Sequence, residues 1–362
     1  MTALADRLAA RTLELVDIPS VSGSEAAIRE HLLALVPPSF VADYAGDEAF
    51  FFVPAVRRDV PLVTLVAHYD TVPAQDNLPG EIRSGSVYGL GASDMKGGLA
   101  VAVELVRGLV QESRDRYDTG LVLFGREELP GEYNPLPALF ERSHAIRDTA
   151  LAIVLEPTDG RIQAGCLGNV LARLVFHGRS GHSARPWLAD SAVERAVLGL
   201  APLFALAPRV AVVGGLEFKE VVSVTRLEAG IADNVIPGEA TATLNLRYPP
   251  DRTAEEAESY LRSLTPEGAT LEISSNAAPA RVVTDAKLVL ELRAAGDLSM
   301  EPKQAWTNVA DFTANGIDAV NFGPGHTAYA HRQDERVEIE ALVKSYETLE
   351  RFLTGAIGED AA

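Results

Sequence analysis

An α/β fold carrying an inserted ferredoxin-like α+β module is predicted by three observations on this chain. Short apolar runs of strand length alternate with segments of helical periodicity through the first half. Near Gly168 the order changes to β-α-β-β-α-β. After Pro279 the α/β alternation returns. The 362 residues are more than one compact core usually organises. Residues 1–169 and 280–362 are therefore assigned to one domain and residues 170–279 to a module inserted in it.

The elements follow in order. Leucines and a valine at helical spacing predict a helix over residues 3–16, which Asp17-Ile18-Pro19 ends. Ser22-Gly23-Ser24-Glu25 is a capping signal before a second helix over 26–36. Buried strands are expected at 61–66, 120–124 and 151–155, and an Ala/Val/Leu-rich helix over 96–110, giving a largely parallel sheet. The inserted module reads as strand 170–176, helix 190–206, strands 221–227 and 240–248, helix 253–264 and strand 269–274. A helix over 285–295, a strand at 319–322 and a helix over 339–354 complete the first domain.

Composition narrows the function. Hydrophobic residues make up 47% and charged residues 23% of the chain, ordinary for a globular protein. The net charge of −19 repels nucleic acid and anionic membranes, so neither is expected as a partner. A single cysteine, Cys166, excludes a disulfide framework and a cysteine-based zinc site. The opening MTALADRLAARTLELV mixes acids with apolar residues, so neither a signal peptide nor a spanning helix is expected, and a cytoplasmic location follows.

Three expected strands end in acids or histidine. The first runs into His68-Tyr69-Asp70, the second into Glu127 and Glu128, the third into Glu156. In α/β sheets the carboxyl edge of the strands is where sites are built. An imidazole with a carboxylate two residues on suits a metal ligand held by an acid behind it. Gly89-Leu90-Gly91-Ala92-Ser93-Asp94 imitates a dinucleotide loop, but Asp94 stands at its mouth, where an anion would be repelled. The glycines instead suit a tight turn that presents Asp94, with Lys96 opening the next helix or pairing with an acid. Towards the end of the chain either His326 or His331 can close the set.

Counted with His331, the ligands suffice for two cations. His68, Asp94 and Glu156 serve one; Asp94, Glu128 and His331 serve the other, with Asp94 shared. Three protein ligands and an open position is the catalytic pattern. Mixed imidazole and carboxylate donors fit zinc, with cobalt or manganese as substitutes. Glu127 is then left over beside the cations, where a free carboxylate is the natural general base for a water.

"HYDTVP", "GASDMKGG", "REE", "LEPT", "GHSARP", "NVIPGE" and "GPG…AHRQDERV" resemble, in order and over nearly the whole chain, the dinuclear zinc aminoacylase and carboxypeptidase family. The resemblance implies a zinc-exopeptidase-like catalytic domain with two Zn²⁺ and an inserted domain that acts as lid and dimerisation surface of a homodimer. It implies that His68, Asp94, Glu128, Glu156 and His331 are the zinc ligands, Asp70 the acid behind the first histidine and Glu127 the proton shuttle. His182 matches a histidine that reaches the partner subunit's active site and stabilises the oxyanion. Asn234 and Arg247 match residues that hold the substrate's carboxylate and acyl group, and Thr307 and Gly325 lie in matching substrate-side loops. The peptide bond after Asp94 is often cis in the family. His31, His144 and His177 are expected to be structural or solvated.

"AGCLGN", "HSARPWLADSA" and "WTNVADF" resemble the actinobacterial branch that acts on N-succinyl-LL-2,6-diaminopimelate in lysine and cell-wall synthesis. The activity this implies is hydrolysis of that amide to succinate and diaminopimelate. Two stretches depart from the pattern. Cys166-Leu167-Gly168 replaces an Arg-rich turn, and Val309 and Asp311 stand where an aspartate and an arginine are expected. A succinyl group ends in a carboxylate, so the departures keep alternatives open. These are a deacetylase for N-acetylornithine or N-acetyl-lysine, a dipeptidase or carboxypeptidase, and a catalytically silent binding protein on the same scaffold.

Overall fold

The computed structural model describes residues 2–109 and 116–355. The chain divides into two compact units. One comprises Met1–Ala164, Val283–Glu301 and Asp311–Ala362; the other comprises Gly165–Val282 and Pro302–Ala310. Residues 302–310, expected in the first domain, thus belong to the second unit. They have no periodicity to read, and hydrogen bonds place them: Leu167 N–H donates to Ala305 O at 3.2 Å, Gln304 Nε2 to Glu217 O at 3.0 Å and Trp306 Nε1 to Ala278 O at 3.1 Å.

The first unit is built on a mixed eight-stranded sheet. Its centre is parallel, in the order Asp118–Phe124, Leu62–His68, Thr149–Val154, Ala319–Asn321. The flanks are not: Ala49–Pro54 runs antiparallel to Asp118–Phe124 and pairs with Phe40–Ala45, and Ile162–Ala164 runs antiparallel to Ala319–Asn321. Leu62–His68 and Asp118–Phe124 are buried at every residue, which is why they read as continuous apolar runs. Helices Ala3–Asp17, Gly97–Gly108 and Ile339–Thr354 pack on one another, with Leu8, Leu15, Leu99, Leu105, Leu342 and Leu349 in the core. Val110, the last residue of the helix expected over 96–110, lies outside the described residues.

One capping expectation fails. Helix Ala26–Leu35 starts without a side-chain cap, and Glu25 turns back to accept from Gly23 N–H at 2.7 Å. The Ser22 hydroxyl donates to Asp70 Oδ2 at 2.6 Å instead. Among the described residues no helix is long and apolar enough to cross a membrane.

The second unit has a five-stranded antiparallel sheet in the order Arg209–Val213, Leu216–Ala229, Glu239–Tyr248, Gly168–His177, Ala269–Ala277. This is the β-α-β-β-α-β arrangement with one more edge strand, Arg209–Val213, joined to its neighbour through Gly214 and Gly215. Both glycines have positive φ (58° and 80°), as a two-residue hairpin turn requires. Val170, Ala172, Leu174 and Phe176 alternate onto one face, as do Ala240 to Tyr248. Helices Ala192–Phe204 and Ala254–Ser263 cover that face with Ala196, Leu200, Ala257 and Leu261. The opposite face carries Asn245 and Arg247.

At the edge of this unit Glu220, 3% exposed, accepts from Arg209 Nε at 2.9 Å and Arg252 Nε at 2.6 Å. Burial alone would raise its carboxyl; the two guanidinium groups override that and hold it below the usual range. A depressed folded pKa gives stability that is present above the unfolded pKa, about 4.3, and is lost as pH falls through the folded value. Glu220→Ala is expected to lower the stability of this unit at pH 7 by about 2 kcal/mol. The deficit should shrink below pH 4, as thermal melts at several pH values would show.

Candidate metal centre

The three buried parallel strands end side by side, in a register that sets His68 opposite Phe124 and Val66 opposite Val154. The residues that follow, Asp70, Glu127, Glu128 and Glu156, therefore emerge at one edge of the sheet. Asp94 reaches the same place from the turn before helix Gly97–Gly108. In that turn Gly91 has φ 77°, a conformation open to glycine, and the Asp94–Met95 peptide bond is cis.

The geometry centres on Asp94. His68 Nε2 lies 3.4 Å from Asp94 Oδ1, and His331 Nε2 lies 3.5 Å from Asp94 Oδ2. One carboxylate is thus flanked by two imidazoles, one at each oxygen. Glu156 Oε1 lies 3.9 Å from His68 Nε2, and Glu128 Oε1 lies 2.9 Å from His331 Nε2. His68, Asp94 and Glu128 present ligand atoms all within 4.8 Å of one another. The choice between the two late histidines is also visible. His326 is turned away, with Nδ1 accepting from Ala328 N–H at 3.0 Å and Nε2 3.9 Å from Asp159.

Asp70, fully buried, organises this edge more widely than its place beside His68 suggests. Its Oδ1 lies 3.4 Å from His68 Nδ1 and accepts the Glu127 N–H at 3.0 Å; its Oδ2 accepts the Glu128 N–H at 3.1 Å and the Ser22 hydroxyl. One acid thus orients the imidazole and fixes the backbone of both glutamates. Ser22 went unseen in the sequence because a serine before a helix reads first as a cap. Lys96, 1% exposed, donates to Ile18 O at 3.0 Å, and burial pulls it down to about 7.

Charge favours a cation here. Burial pushes the Glu127 carboxyl well above the usual carboxylate range; the charges of Glu156, Glu128 and Asp94 add to the rise and His68 opposes it. Hydrogen bonds to Asp94 and Glu128 push His331 up to about 10. Five acids and two imidazoles converging on one sheet edge, all nitrogen and oxygen donors, fit divalent cations of the zinc class. Among the described residues the cluster can hold a metal.

Of the other expected residues, one borders the site and four belong to the second unit. Gly325 packs against the Asp94 turn so closely that a Cβ would meet Ser93 O at 2.2 Å, a steric reason for glycine at that position. His182, Asn234, Arg247 and Thr307 belong to the second unit. Gly181-His182 pairs with Val235-Ile236, and Ser183 N–H donates to Asn234 O at 3.0 Å, so His182 and Asn234 are neighbours. Ala184 N–H donates to His182 Nδ1 at 3.1 Å, which leaves Nε2 as the protonated nitrogen of the neutral ring, on an exposed side chain. Arg247 is half-buried, donates from Nε to Asn245 Oδ1 at 3.0 Å and pairs with no carboxylate among the described residues. The Thr307 side chain is buried, and its carbonyl lies 3.6 Å from Cys166 Sγ.

Known proteins are similar to this chain along most of its length. Residues 64–355 match peptidase family M20/M25/M40. The succinyl-diaminopimelate desuccinylase of Corynebacterium glutamicum is 33% identical over 357 residues, covering 95% of each chain. A putative succinyl-diaminopimelate desuccinylase of Mycobacterium tuberculosis is 34% identical over 354 residues, covering 95% of this chain and 97% of that one. The M20 family metallo-carboxypeptidase Sso-CP2 of Sulfolobus solfataricus superposes with a TM-score of 0.76 over 98% of this chain and 99% of that one, at 18% identity, a likeness of fold.

Proposed function

The chain belongs to peptidase family M20/M25/M40, and we propose that within it this protein hydrolyses the amide of N-succinyl-LL-2,6-diaminopimelate to succinate and LL-2,6-diaminopimelate. The observation that carries the hydrolytic reading is the Asp94 carboxylate flanked by His68 and His331 at opposite oxygens, with Glu127 beside them. The names of the Corynebacterium and Mycobacterium relatives support the substrate. We assign two zinc ions to the site, one on His68, Asp94 and Glu156 and one on Asp94, Glu128 and His331, with cobalt or manganese as substitutes. Held by these residues, such cations would supply Lewis acidity towards the scissile carbonyl and the attacking water.

The chain's own residues do the rest. Glu127 takes the proton from the attacking water and returns it to the leaving amine nitrogen. Asp70 keeps His68 oriented through Nδ1 and keeps Glu127 and Glu128 in place through their amides. His182 reaches across to the partner subunit's site and donates from Nε2 to the oxyanion developing there. Asn234 and Arg247 take the substrate's carboxylate and acyl group. The unpaired, half-buried guanidinium of Arg247 supports this, because a bidentate anion is what such a group lacks. Thr307 and Gly325 border the substrate.

The same reading makes the protein a homodimer through the second unit. Helix Ala192–Phe204 leaves Val193, Val197, Leu198 and Phe204 exposed, and the edge strand Arg209–Val213 leaves Val210 and Val212 exposed. Apolar exposure of this extent marks an interaction surface.

A second reading, deacylation of an N-acetyl amino acid or cleavage of a dipeptide, is favoured by one observation. Val309 is buried in the core, and Asp311 accepts from Asn134 Nδ2 at 3.1 Å, so neither position offers a cation to a succinyl carboxylate. The readings separate on a substrate panel of N-succinyl-LL-diaminopimelate, N-acetylornithine, N-acetyl-lysine and several dipeptides, with and without chelator. Chelator-sensitive kcat/KM highest for the succinyl compound is expected. A preference for an acetyl compound or a dipeptide would replace the substrate and keep the mechanism.

A further inference from the structure

Glu335 has no part in the chemistry above, yet it is 1% exposed and meets the Asp94 turn with its whole carboxylate. Its Oε2 accepts the Gly91 N–H at 3.0 Å, and its Oε1 accepts the N–H groups of Ser93 and Asp94, each at 3.0 Å. Its own carbonyl accepts the Gly89 N–H at 3.0 Å. The turn that presents Asp94 is therefore wrapped around one acid. Three backbone amides thus converge on one carboxyl group and engage both of its oxygens.

The same acid ends the segment that carries His331. Glu335 N–H donates to Arg332 O at 3.2 Å, and strand Arg336–Glu338 pairs with Ser86–Tyr88, the strand that leads into the Asp94 turn. At the other end of the segment, Gln75 Nε2 donates to His331 O at 2.9 Å and Asn77 Nδ2 to Arg332 O at 3.3 Å. His331 itself has φ 58°, a left-handed conformation that a residue with a Cβ adopts at a cost. Such a conformation persists where its surroundings fix both ends.

We propose that Glu335 is a positioning residue that locks the Asp94 turn to the His331 segment and so sets the spacing of the second cation's donors. The inference rests on the metal-centre reading given above. It makes an unequal claim about the two cations. His68 and Glu156 stand at strand ends that Glu335 does not touch, so the first cation loses the placement of one donor of three. Asp94 and His331 both lie on the segments that Glu335 joins, so the second cation loses two of three.

The test is a two-step calorimetric titration of metal-free protein with Co²⁺, run on the wild type, Glu335→Gln, Glu335→Ala and Leu349→Ala. The glutamine keeps one oxygen for the Ser93 and Asp94 amides and turns an NH₂ towards Gly91. Leu349→Ala removes a fully buried core side chain from the last helix and controls for lost stability alone. In Glu335→Gln one of the two dissociation constants should rise by about 10–100-fold while the other changes by less than about threefold. Glu335→Ala should show the same split more strongly, and Leu349→Ala should show none. Equal shifts of both constants in folded Glu335→Gln, or no shift, would overturn the inference and leave the metal centre standing. A wild-type protein that takes up no divalent cation would overturn both together.

Discussion

Glu127→Gln is expected to lower kcat by about three orders of magnitude while leaving metal content unchanged, the effect of removing a general acid–base group without a ligand. The substitution is isosteric, so the Glu127 N–H bond to Asp70 survives. What is lost is a group that changes protonation twice per turnover. The surroundings make Glu127 suited to that role. Burial and the neighbouring carboxylates raise its proton affinity, and cations bound to those neighbours would moderate the rise. The measurement is kcat at saturating substrate together with metal content by elemental analysis. Activity within tenfold of the wild type would remove Glu127 from the chemistry. Loss of a cation along with activity would make it a ligand instead.

Asp94→Ala should have the larger effect on binding. Asp94 has an oxygen within 3.5 Å of each imidazole, so its removal strips a donor from each cation and leaves His68, His331, Glu128 and Glu156 to divide the rest. Losing a group that only orients a ligand already weakens metal binding by about 10–100-fold, and losing a shared ligand should exceed that for both cations. The backbone amide of residue 94 still donates to Glu335, so the turn should persist. Metal content should fall below one ion per chain with the melting temperature of the metal-free protein little changed. A variant that retains two ions would show that Asp94 is not shared.

Most of the first unit was legible because its central strands are buried on both faces and read as unbroken apolar runs. The acids stood out because each follows such a run directly. Thus His68, Asp70, Glu127, Glu128 and Glu156 were placed at one edge from sequence, and the structure brings them together there. The outer strands went unread. Phe40–Ala45 has no regular period, and Ala49–Pro54, an unbroken apolar run buried at every residue, was passed over. Arg209–Val213 lies in the stretch between residues 206 and 221, which the sequence reading assigned to no element. The contacts that set the site's shape were hidden for a different reason. Ser22 and Glu335 act through hydrogen bonds to residues 48 and more than 240 positions away. Local spacing carries no signal for such partners. Glu335 was visible only as the last residue of Ala-His-x-x-x-Glu, with no role attached.

The central claim is that one carboxylate joins two cations to make an amide hydrolase. It is tested most directly by stepwise reconstitution of metal-free protein with zinc, following turnover of N-succinyl-LL-2,6-diaminopimelate and bound metal in the same samples. No turnover is expected in the metal-free protein, with a rise on added zinc and a plateau at two ions per chain. Turnover that needs no metal, or a protein that binds no zinc, would contradict it.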